Sequence, residues 1–576
     1  MIWALLKMVT IADILPNESP SRGSDGPLRR RFSSHEGLGW LIAAAIPIAF
    51  LAIFLYYPVA SSFWLGLATQ PKGFLQVLSN PLNIKAVWAS LQQAVLSCIS
   101  SLILGYIGGV IMARYSFPGR RTFRAIVIVP FMMPSIVVII GFLSLYGKDG
   151  IIGSAFPLAT SLSSGLSGIV AVNTYYNAPL IMYLVSAAIE RTDPEVEQAS
   201  KIFGGKRSLF IRKIIMPQTS SGVASGVILT FIYSFMGFTI PLVIGGPAYS
   251  TVEVQVYSLF YGFLDFGGAA ALAAFQMLCL SALSYLYIRT FLSRAERIRP
   301  IGATRIRLAK LDFRRRPFES LAVSLYLLLI STFLFSPMVA VAYSSIHDNQ
   351  NGMNSLGAYG AIFSAATRLG FSATGAILNS LFYAFMTTVG TIAVCILASY
   401  SSRRTLRRPF LYDLIISLPM TISPITIALG LYISLEPIPP FDMIWPLILC
   451  SHIMAAIPLA MRFLTSSFSR IPRELLDAAS TLGSRTEGLF RVELPLIRGG
   501  LVSAAAFAFS TSLGEFAATN FLYAGRYVTM NTAIYQFLRY RMSAAASAMA
   551  MILVGFSIFS FLVFQLLGEE RSLGGD

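Results

Sequence analysis

The chain has 576 residues, of which 55% are hydrophobic and only 12% are charged, and its mean hydropathy is +0.70. This balance excludes an ordinary water-soluble globular protein and predicts a membrane protein. The net charge of +17 can come from basic residues at the cytoplasmic ends of membrane helices, so it does not require a nucleic-acid partner.

Twelve apolar stretches are long enough to cross a bilayer, because a spanning helix needs about 20 mostly apolar residues. The predicted spans are residues 40–63, 89–112, 124–146, 168–189, 222–244, 269–290, 321–344, 378–399, 411–434, 445–465, 501–523 and 546–567. The predicted fold class is an all-α polytopic membrane protein with about 12 transmembrane helices in two six-helix repeats. Six is an even number, so the two repeats are expected to run parallel.

The basic residues predict the orientation. With the N-terminus in the cytoplasm, 36 of the 43 Lys and Arg residues lie on the inner side, as the positive-inside rule requires. The expected location is the cell membrane, plasma or inner, with multiple passes and both termini cytoplasmic. The predicted segments are a cytoplasmic tail 1–39, a first repeat 40–290, a basic cytoplasmic linker 291–320, a second repeat 321–568 and a C-terminal tail 569–576.

Spans three and nine each carry two prolines. These are Pro130 with Pro134, and Pro419 with Pro424. A proline inside a span frees a backbone carbonyl and bends the helix, which a membrane tolerates only where protein or a water-filled path satisfies the freed group. The sequence leaves a pathway and a simple packing kink both open.

Polar side chains lie deep in spans four and ten. Asn173 lies six residues before Pro179, and Asn177 lies two residues before it. His452 lies six residues before Pro458, in register with Asn173. Such groups prefer the interior of the bundle. They could line a pathway or hydrogen-bond neighbouring helices.

Spans five and eleven align Ser234 with Ser512, and Glu515 follows in the second repeat. Glu515 is the one acidic side chain well inside a predicted span. An acid near the bilayer centre costs on the order of 3 kcal/mol, so Glu515 is a candidate pathway residue or a structural hydrogen-bonding group. The segments that follow, 251–257 and 529–535, are expected to be outer loops that could meet an external partner.

A polar segment recurs between spans four and five and between spans ten and eleven. The copies are 193–217 and 472–495, and Gly204 and Gly483 are 279 residues apart. Each is predicted to form two short helices broken at the glycine, with a proline in the first turn of the next helix. One copy alone would be an ordinary loop, whereas two copies at matching places favour a function.

This segment resembles the EAA loop of ATP-binding-cassette (ABC) importer permeases, whose form is E-A-A-x-x-x-G, nine residues, then I-x-L-P. The matching residues are Gln198, Ala199, Ser200, Gly204, Ile214, Met216 and Pro217 in the first copy, and Asp477, Ala478, Ala479, Gly483, Val492, Leu494 and Pro495 in the second. The first copy has Gln198 where the family has an acid. The second copy has one residue fewer between glycine and proline.

The resemblance covers residues 40–568 and is closest to the fused permeases of iron(III) and thiamine importers. It implies the type I ABC importer permease fold, two ABC ATPase subunits docked on the cytoplasmic loops, and an external substrate-binding protein. The implied substrate is iron(III), thiamine or another small solute delivered by that binding protein.

No phosphate-binding G-x-x-x-x-G-K-[ST] motif occurs, so we expect a transport subunit that takes its energy from another polypeptide. The four cysteines and three histidines show no metal-ligand spacing. No catalytic set, metal site or cofactor is predicted. The alternatives are an ion-coupled secondary transporter, which would need more intramembrane charges than Glu515, and a membrane-embedded enzyme, which no His/Asp/Glu cluster supports.

Overall fold

The protein is represented by a computed structural model. It describes residues 34–69, 74–127, 129–190, 216–295, 309–314, 316–348, 356–404, 409–439, 443–472, 492–523 and 527–569, together with a few isolated residues between these ranges. Helices dominate these ranges, so the all-α prediction is confirmed.

The helices of the first half follow the predicted spans. They are α1 (Ser34–Leu51), α2 (Tyr57–Thr69), α3 (Pro81–Arg114), α4 (Arg120–Ile126), α5 (Val129–Met132), α6 (Ser135–Tyr146), α7 (Gly165–Glu190), α8 (Met216–Phe235), α9 (Val252–Tyr261) and α10 (Phe266–Ala295). A π-helical turn, Ala52–Tyr56, joins α1 to α2. Short 3₁₀ or π segments lie at Phe74–Ser79, Pro157–Ser163, Pro241–Gly245 and Pro247–Tyr249.

The second half repeats this order. Its helices are α11 (Pro317–Ile346), α12 (Gly357–Arg368), α13 (Ala373–Arg404), α14 (Pro409–Ser417), α15 (Pro424–Leu435), α16 (Trp445–Phe468), α17 (Leu494–Leu496), α18 (Arg498–Gly514), α19 (Ala517–Leu522), α20 (Met530–Arg539) and α21 (Ser543–Glu569). A 3₁₀ turn, Leu418–Thr421, follows α14. Two ladders of two residues pair β1 (Tyr115–Ser116) with β2 (Ala309–Lys310), and β3 (His347–Asp348) with β4 (Met353–Asn354).

Each of the twelve predicted spans coincides with a helix or a series of helices. Within the described ranges, seven helices are long and apolar enough to cross a membrane without a break, and one bent pair makes an eighth. In that pair, residues 415–421 and 424–435 meet at an angle of 107°. The remaining spans are shorter, more polar or interrupted.

The two proline-containing spans are both broken where the prolines stand. In the first repeat, α5 ends at Met132 and α6 begins after Pro134. The Met133 carbonyl accepts a hydrogen bond of 3.3 Å from the Tyr176 hydroxyl of α7. In the second repeat, the Ser423 hydroxyl accepts from the Thr426 backbone N–H at 3.1 Å and so caps α15. At each break, therefore, a side-chain group of the protein bonds a backbone group.

The chain forms two compact units, and each contains the first long helix of the other half. Unit 1 comprises residues 1–62, 375–529 and 555–576, and unit 2 comprises 63–374 and 530–554. Helix α1 of the first half thus belongs with the second repeat, and α11 of the second half belongs with the first repeat. Neither half of the sequence completes its own core.

In unit 1, the segment that contains α1 is held against the second repeat by tyrosine hydroxyls. Tyr412 donates to the carbonyl of Ala44, and Tyr56 donates to the carbonyl of Ile415, both at 3.0 Å. Gly430 of α15 lies so close to the same segment that a Cβ added there would be 2.8 Å from the Pro58 carbonyl.

In unit 2, α11 packs on α6 in the corresponding way. The Tyr326 hydroxyl of α11 donates to the Leu104 carbonyl at 2.6 Å. A Cβ added at Gly141 of α6 would be 2.8 Å from the carbonyl carbon of Pro337. Pro58 and Pro337 are 279 residues apart, the same separation as the two loop glycines. A glycine–proline contact therefore occurs in each unit, with the two glycines 289 residues apart.

Larger side chains at Gly141 or Gly430 should destabilise the protein, because the backbone of the exchanged helix occupies the space. We expect Gly141→Leu and Gly430→Leu each to cost about 1–3 kcal/mol or more, seen as a lower unfolding temperature in detergent. Gly555→Leu in α21 is the matched control, since a Cβ there meets nothing within 4 Å. Equal stability of all three variants would contradict the close packing described.

Candidate functional site

The fifth span of each repeat is interrupted at the same place. Helix α8 ends at Phe235, and residues 236–238 leave the helical conformation. Helix α18 ends at Gly514, and Glu515 is extended before α19 begins at Ala517. The predicted spans 222–244 and 501–523 are therefore broken helices. A break leaves backbone N–H and C=O groups without helical partners, and polar side chains collect there.

In unit 1, the Glu515 carboxylate caps the N-terminus of α19. One carboxylate oxygen accepts from the Ala518 backbone N–H at 3.0 Å, and the other accepts from the Thr519 backbone N–H at 3.0 Å and the Thr519 hydroxyl at 2.8 Å. A negative group at a helix N-terminus is favourable because open N–H groups point toward it. Glu515 is buried, and its first role is to complete the broken helix.

The His452 ring joins the two sides of this break. Its Nδ1 lies 2.7 Å from the Ser512 hydroxyl, before the break, and its Nε2 lies 2.7 Å from the Thr519 hydroxyl, after the break. Because the Thr519 hydroxyl donates to Glu515, it accepts from His452 Nε2–H, and Nδ1 accepts from Ser512. His452 Nε2 also lies 3.5 Å from a Glu515 oxygen. Three of the residues predicted from the sequence, His452, Ser512 and Glu515, thus form one cluster.

The first repeat holds its break with amides. In unit 2, the Gln93 amide of α3 donates to the Ser234 carbonyl at 2.5 Å, and Asn173 donates to the Gln93 side-chain oxygen at 2.7 Å. Asn177 donates to the Asn173 carbonyl at 2.8 Å and lies 3.4 Å from the Ser234 hydroxyl. All three predicted residues, Asn173, Asn177 and Ser234, therefore meet, and all are buried.

The aligned positions of the two repeats carry different chemistry. Asn173 contacts a glutamine of α3, whereas His452 contacts an aromatic ring of α13, with the Tyr383 ring centre 5.5 Å away. Gln93 was not predicted as a site residue. The signal that could have found it is an amide deep in an apolar span, the same signal that singled out Asn173.

A second buried acid was also missed. Residues 251–257 were expected to form an outer loop, but Val252–Tyr261 is a helix, α9, whose Glu253 is fully buried. Glu253 accepts from the Gln276 amide at 2.6 Å. Residues 529–535 likewise enter a helix, α20, with Asn531 buried. The expectation of loops here was wrong, because both segments are helical and carry buried residues.

The predicted coupling-loop residues are only partly described. Pro217 is exposed in the first turn of α8, Ala478 is exposed and helical, and Pro495 is exposed in α17. The residues of this group that lie outside the described ranges are Gln198, Ala199, Ser200, Gly204, Asp477, Ala479 and Gly483.

The family profile described as "Binding-protein-dependent transport system inner membrane component" matches the chain twice, over residues 105–297 and 390–570. The chain belongs to this family. It is a multi-pass inner-membrane permease of an ABC importer, with the family's type I fold in two fused repeats. Permeases of this family work with ATPase and binding-protein partners.

Three curated relatives match different shares of the chain. The thiamine transport system permease protein of Salmonella typhimurium is 26% identical over 554 residues, covering 92% of this chain and 97% of the relative. The thiamine permease of Brucella abortus is 26% identical over 434 residues, covering 73% and 76%. The sulfate transport system permease protein of Salmonella typhimurium is 25% identical over 260 residues, covering 44% of this chain and 93% of the relative.

Removing the His452 ring should destabilise the break, because Ser512 and Thr519 then lose a buried partner. We expect His452→Ala to cost about 1–3 kcal/mol for each unsatisfied group, measured as a lower unfolding temperature, with reduced uptake. His347→Ala, a partly exposed histidine stacked on Tyr343, is the matched control and should change neither. A His452→Ala protein as stable as the wild type would contradict the bridging role.

Proposed function

We propose that this permease forms the solute pathway of an importer driven by two separate ABC ATPase subunits and supplied by an external binding protein. The observation that carries the proposal is the duplicated break in the fifth span, held in each repeat by a buried polar cluster. Discontinuous helices of this kind form substrate sites in other transporters. The candidate pathway residues are Asn173, Asn177, Ser234, His452, Ser512 and Glu515.

The two repeated loops are the proposed ATPase docking sites. Segments 193–217 and 472–495 each precede the broken helix of their repeat. In the first repeat, α8 runs 20 residues without interruption from the loop to the break, a length of about 30 Å. In the second, α18 has 17 residues, or about 26 Å. A displacement of the first loop would therefore reach the break through one helix, and a displacement of the second loop would reach it through the short helix α17, the turn at Ile497 and α18.

The orientation follows from the charge bias. Both termini, the basic linker 291–320 and the two loops are assigned to the cytoplasm, where ATP is available. ATP-driven closure of the ATPase subunits would then push the loops together and move the broken helices, which changes access to the pathway.

The substrate proposed here is a cationic solute, with thiamine and iron(III) as the candidates. Among the described residues, the buried acidic and basic side chains are Glu253, Glu493, Glu515 and His452, and no lysine or arginine is buried. Of these acids, Glu515 is a candidate pathway residue, and an acidic lining favours cations. Thiamine carries a positive charge, and relatives that match over most of this chain include thiamine permeases. The sulfate permease of Salmonella typhimurium matches 44% of this chain.

Uptake into proteoliposomes that contain the permease, its ATPase and its binding protein would test the substrate. We expect ATP-dependent uptake of labelled thiamine or of iron(III), and none of sulfate. Uptake of sulfate alone would overturn the cationic assignment. Uptake by the permease without any ATPase would instead favour the ion-coupled secondary transporter.

Valine at Gly204 or Gly483 should uncouple transport, because a β-branched residue disfavours the left-handed turn expected at each loop. We expect ATP hydrolysis to continue while uptake per ATP falls. Gly499→Val is the matched control, since Gly499 lies in α18 near the second loop and a Cβ there meets nothing within 4 Å. Unchanged coupling in both loop variants would count against these docking sites, as would an ATPase that still co-purifies after deletion of both loops.

A further inference from the structure

An ion-pair cluster lies at the point where α7 enters the first loop. Glu190 is the last residue of α7. Both amino groups of the Arg124 guanidinium bind its carboxylate, Nη1 to one oxygen and Nη2 to the other at 3.1 Å. The Arg120 Nη2 lies 3.5 Å from the same carboxylate. We name Arg120, Arg124 and Glu190 the Glu190 joint.

The Glu190 joint connects three helices of unit 2. Arg120 and Arg124 belong to α4, which opens the proline-broken third span. Arg120 also donates from Nε and Nη2 to the Met112 carbonyl of α3, at 3.0 and 2.8 Å. The ends of α3, α4 and α7 are thereby held by one set of charge-assisted hydrogen bonds. Arginine forks fix the angle as well as the distance between partners.

The same corner of unit 2 also holds the start of α11. The Tyr115 hydroxyl donates to the Glu319 carboxylate, and β1 pairs in parallel with β2, close to the N-terminus of α11. Below these contacts, Ile111, Tyr115 and Val323 form a buried apolar cluster. The end of α3 and Tyr115 are therefore in direct contact with the exchanged helix α11.

The second repeat has a different residue at this place. The register that aligns Pro179 with Pro458 places Ser469 opposite Glu190. The Ser469 hydroxyl donates to the Ser466 carbonyl within its own helix at 2.7 Å. A serine cannot form the bidentate carboxylate–arginine contact, so this feature distinguishes the first repeat.

We propose that the Glu190 joint positions the end of α7 and passes the movement of the first coupling loop to the broken third span and to α11. This inference rests on the proposed function of the loop. The side chains of the Glu190 joint are partly exposed, and that of Glu190 is 34% exposed. Ion pairs at such positions add little stability. The contribution of these ion pairs is therefore the fixed geometry that they give to the ends of α3, α4 and α7.

Substitutions of the Glu190 joint in the reconstituted complex of permease, ATPase and binding protein test this. Glu190→Gln and Arg124→Gln should each reduce uptake per ATP hydrolysed by roughly fivefold or more, with the unfolding temperature little changed. The double variant should be no worse than either single variant, because all three remove the same contact. Asp149→Asn, at an exposed acid in the turn after α6 and outside both loops, is the control and should leave the ratio unchanged.

The charge-swapped variant E190R/R124E keeps the ion pair with its signs reversed, and should restore part of the ratio. General destabilisation would not be repaired in this way. If the wild type is coupled, either of two results would overturn the proposed role of the Glu190 joint. One is an additive loss of uptake per ATP in the double variant, and the other is unchanged uptake per ATP in both single variants. A wild-type complex without ATP-driven uptake would instead overturn the proposed function itself.

Discussion

A peptide group in the hydrocarbon core of a bilayer has no water to bond, so every interruption of a membrane helix must be satisfied by the protein. This constraint explains where the polar residues of the permease lie. Glu515 supplies acceptors for the open N–H groups at the start of α19. Gln93 supplies a donor for the Ser234 carbonyl at the end of α8, and Tyr176 does so for the Met133 carbonyl. Because side chains replace the helical ladder at these points, a small side-chain rearrangement can change the angle of the helix. The breaks are therefore suited to be the moving points of the pathway.

The two repeats meet the same constraint with different side chains. The first uses the neutral amides of Gln93, Asn173 and Asn177, whereas the second uses the imidazole of His452 and the carboxylate of Glu515. In a homodimer each substitution appears in both subunits, so the same side chains would have to hold the break in each subunit. A fused chain removes this requirement, since each half mutates alone. The place of the break is therefore shared by the repeats, while the chemistry at the break has diverged.

The sequence predicts much of this arrangement because composition and register are local properties. Apolar length predicts the twelve spans, paired prolines predict the breaks of the third and ninth spans, and the repeat register aligns His452 with Asn173 and Ser512 with Ser234. The sequence predicts a loop at Glu253. The reason is that α9 has only ten residues, which are too few to cross a membrane. The exchange of α1 and α11 was also not predictable, because hydropathy shows that a helix is apolar but not which helix it packs against. The chemistry at each break depends on contacts between α3, α7 and α8, or between α16, α18 and α19, and such contacts cannot be read from one segment.

The exchange gives a physical reason for the fusion of the halves. A half expressed alone would lack the first long helix that packs on its own broken third span, and would expose Gly141 or Gly430 where Pro337 or Pro58 should lie. Joining the halves makes the encounter of each exchanged helix with its site intramolecular, with an effective concentration on the order of millimolar for a flexible linker. The close glycine–proline contact occurs in both units, so it sets the same register for the exchanged helix in each. A fixed register allows the polar clusters of the two repeats to differ in chemistry while their breaks stay at matching positions along the fifth span.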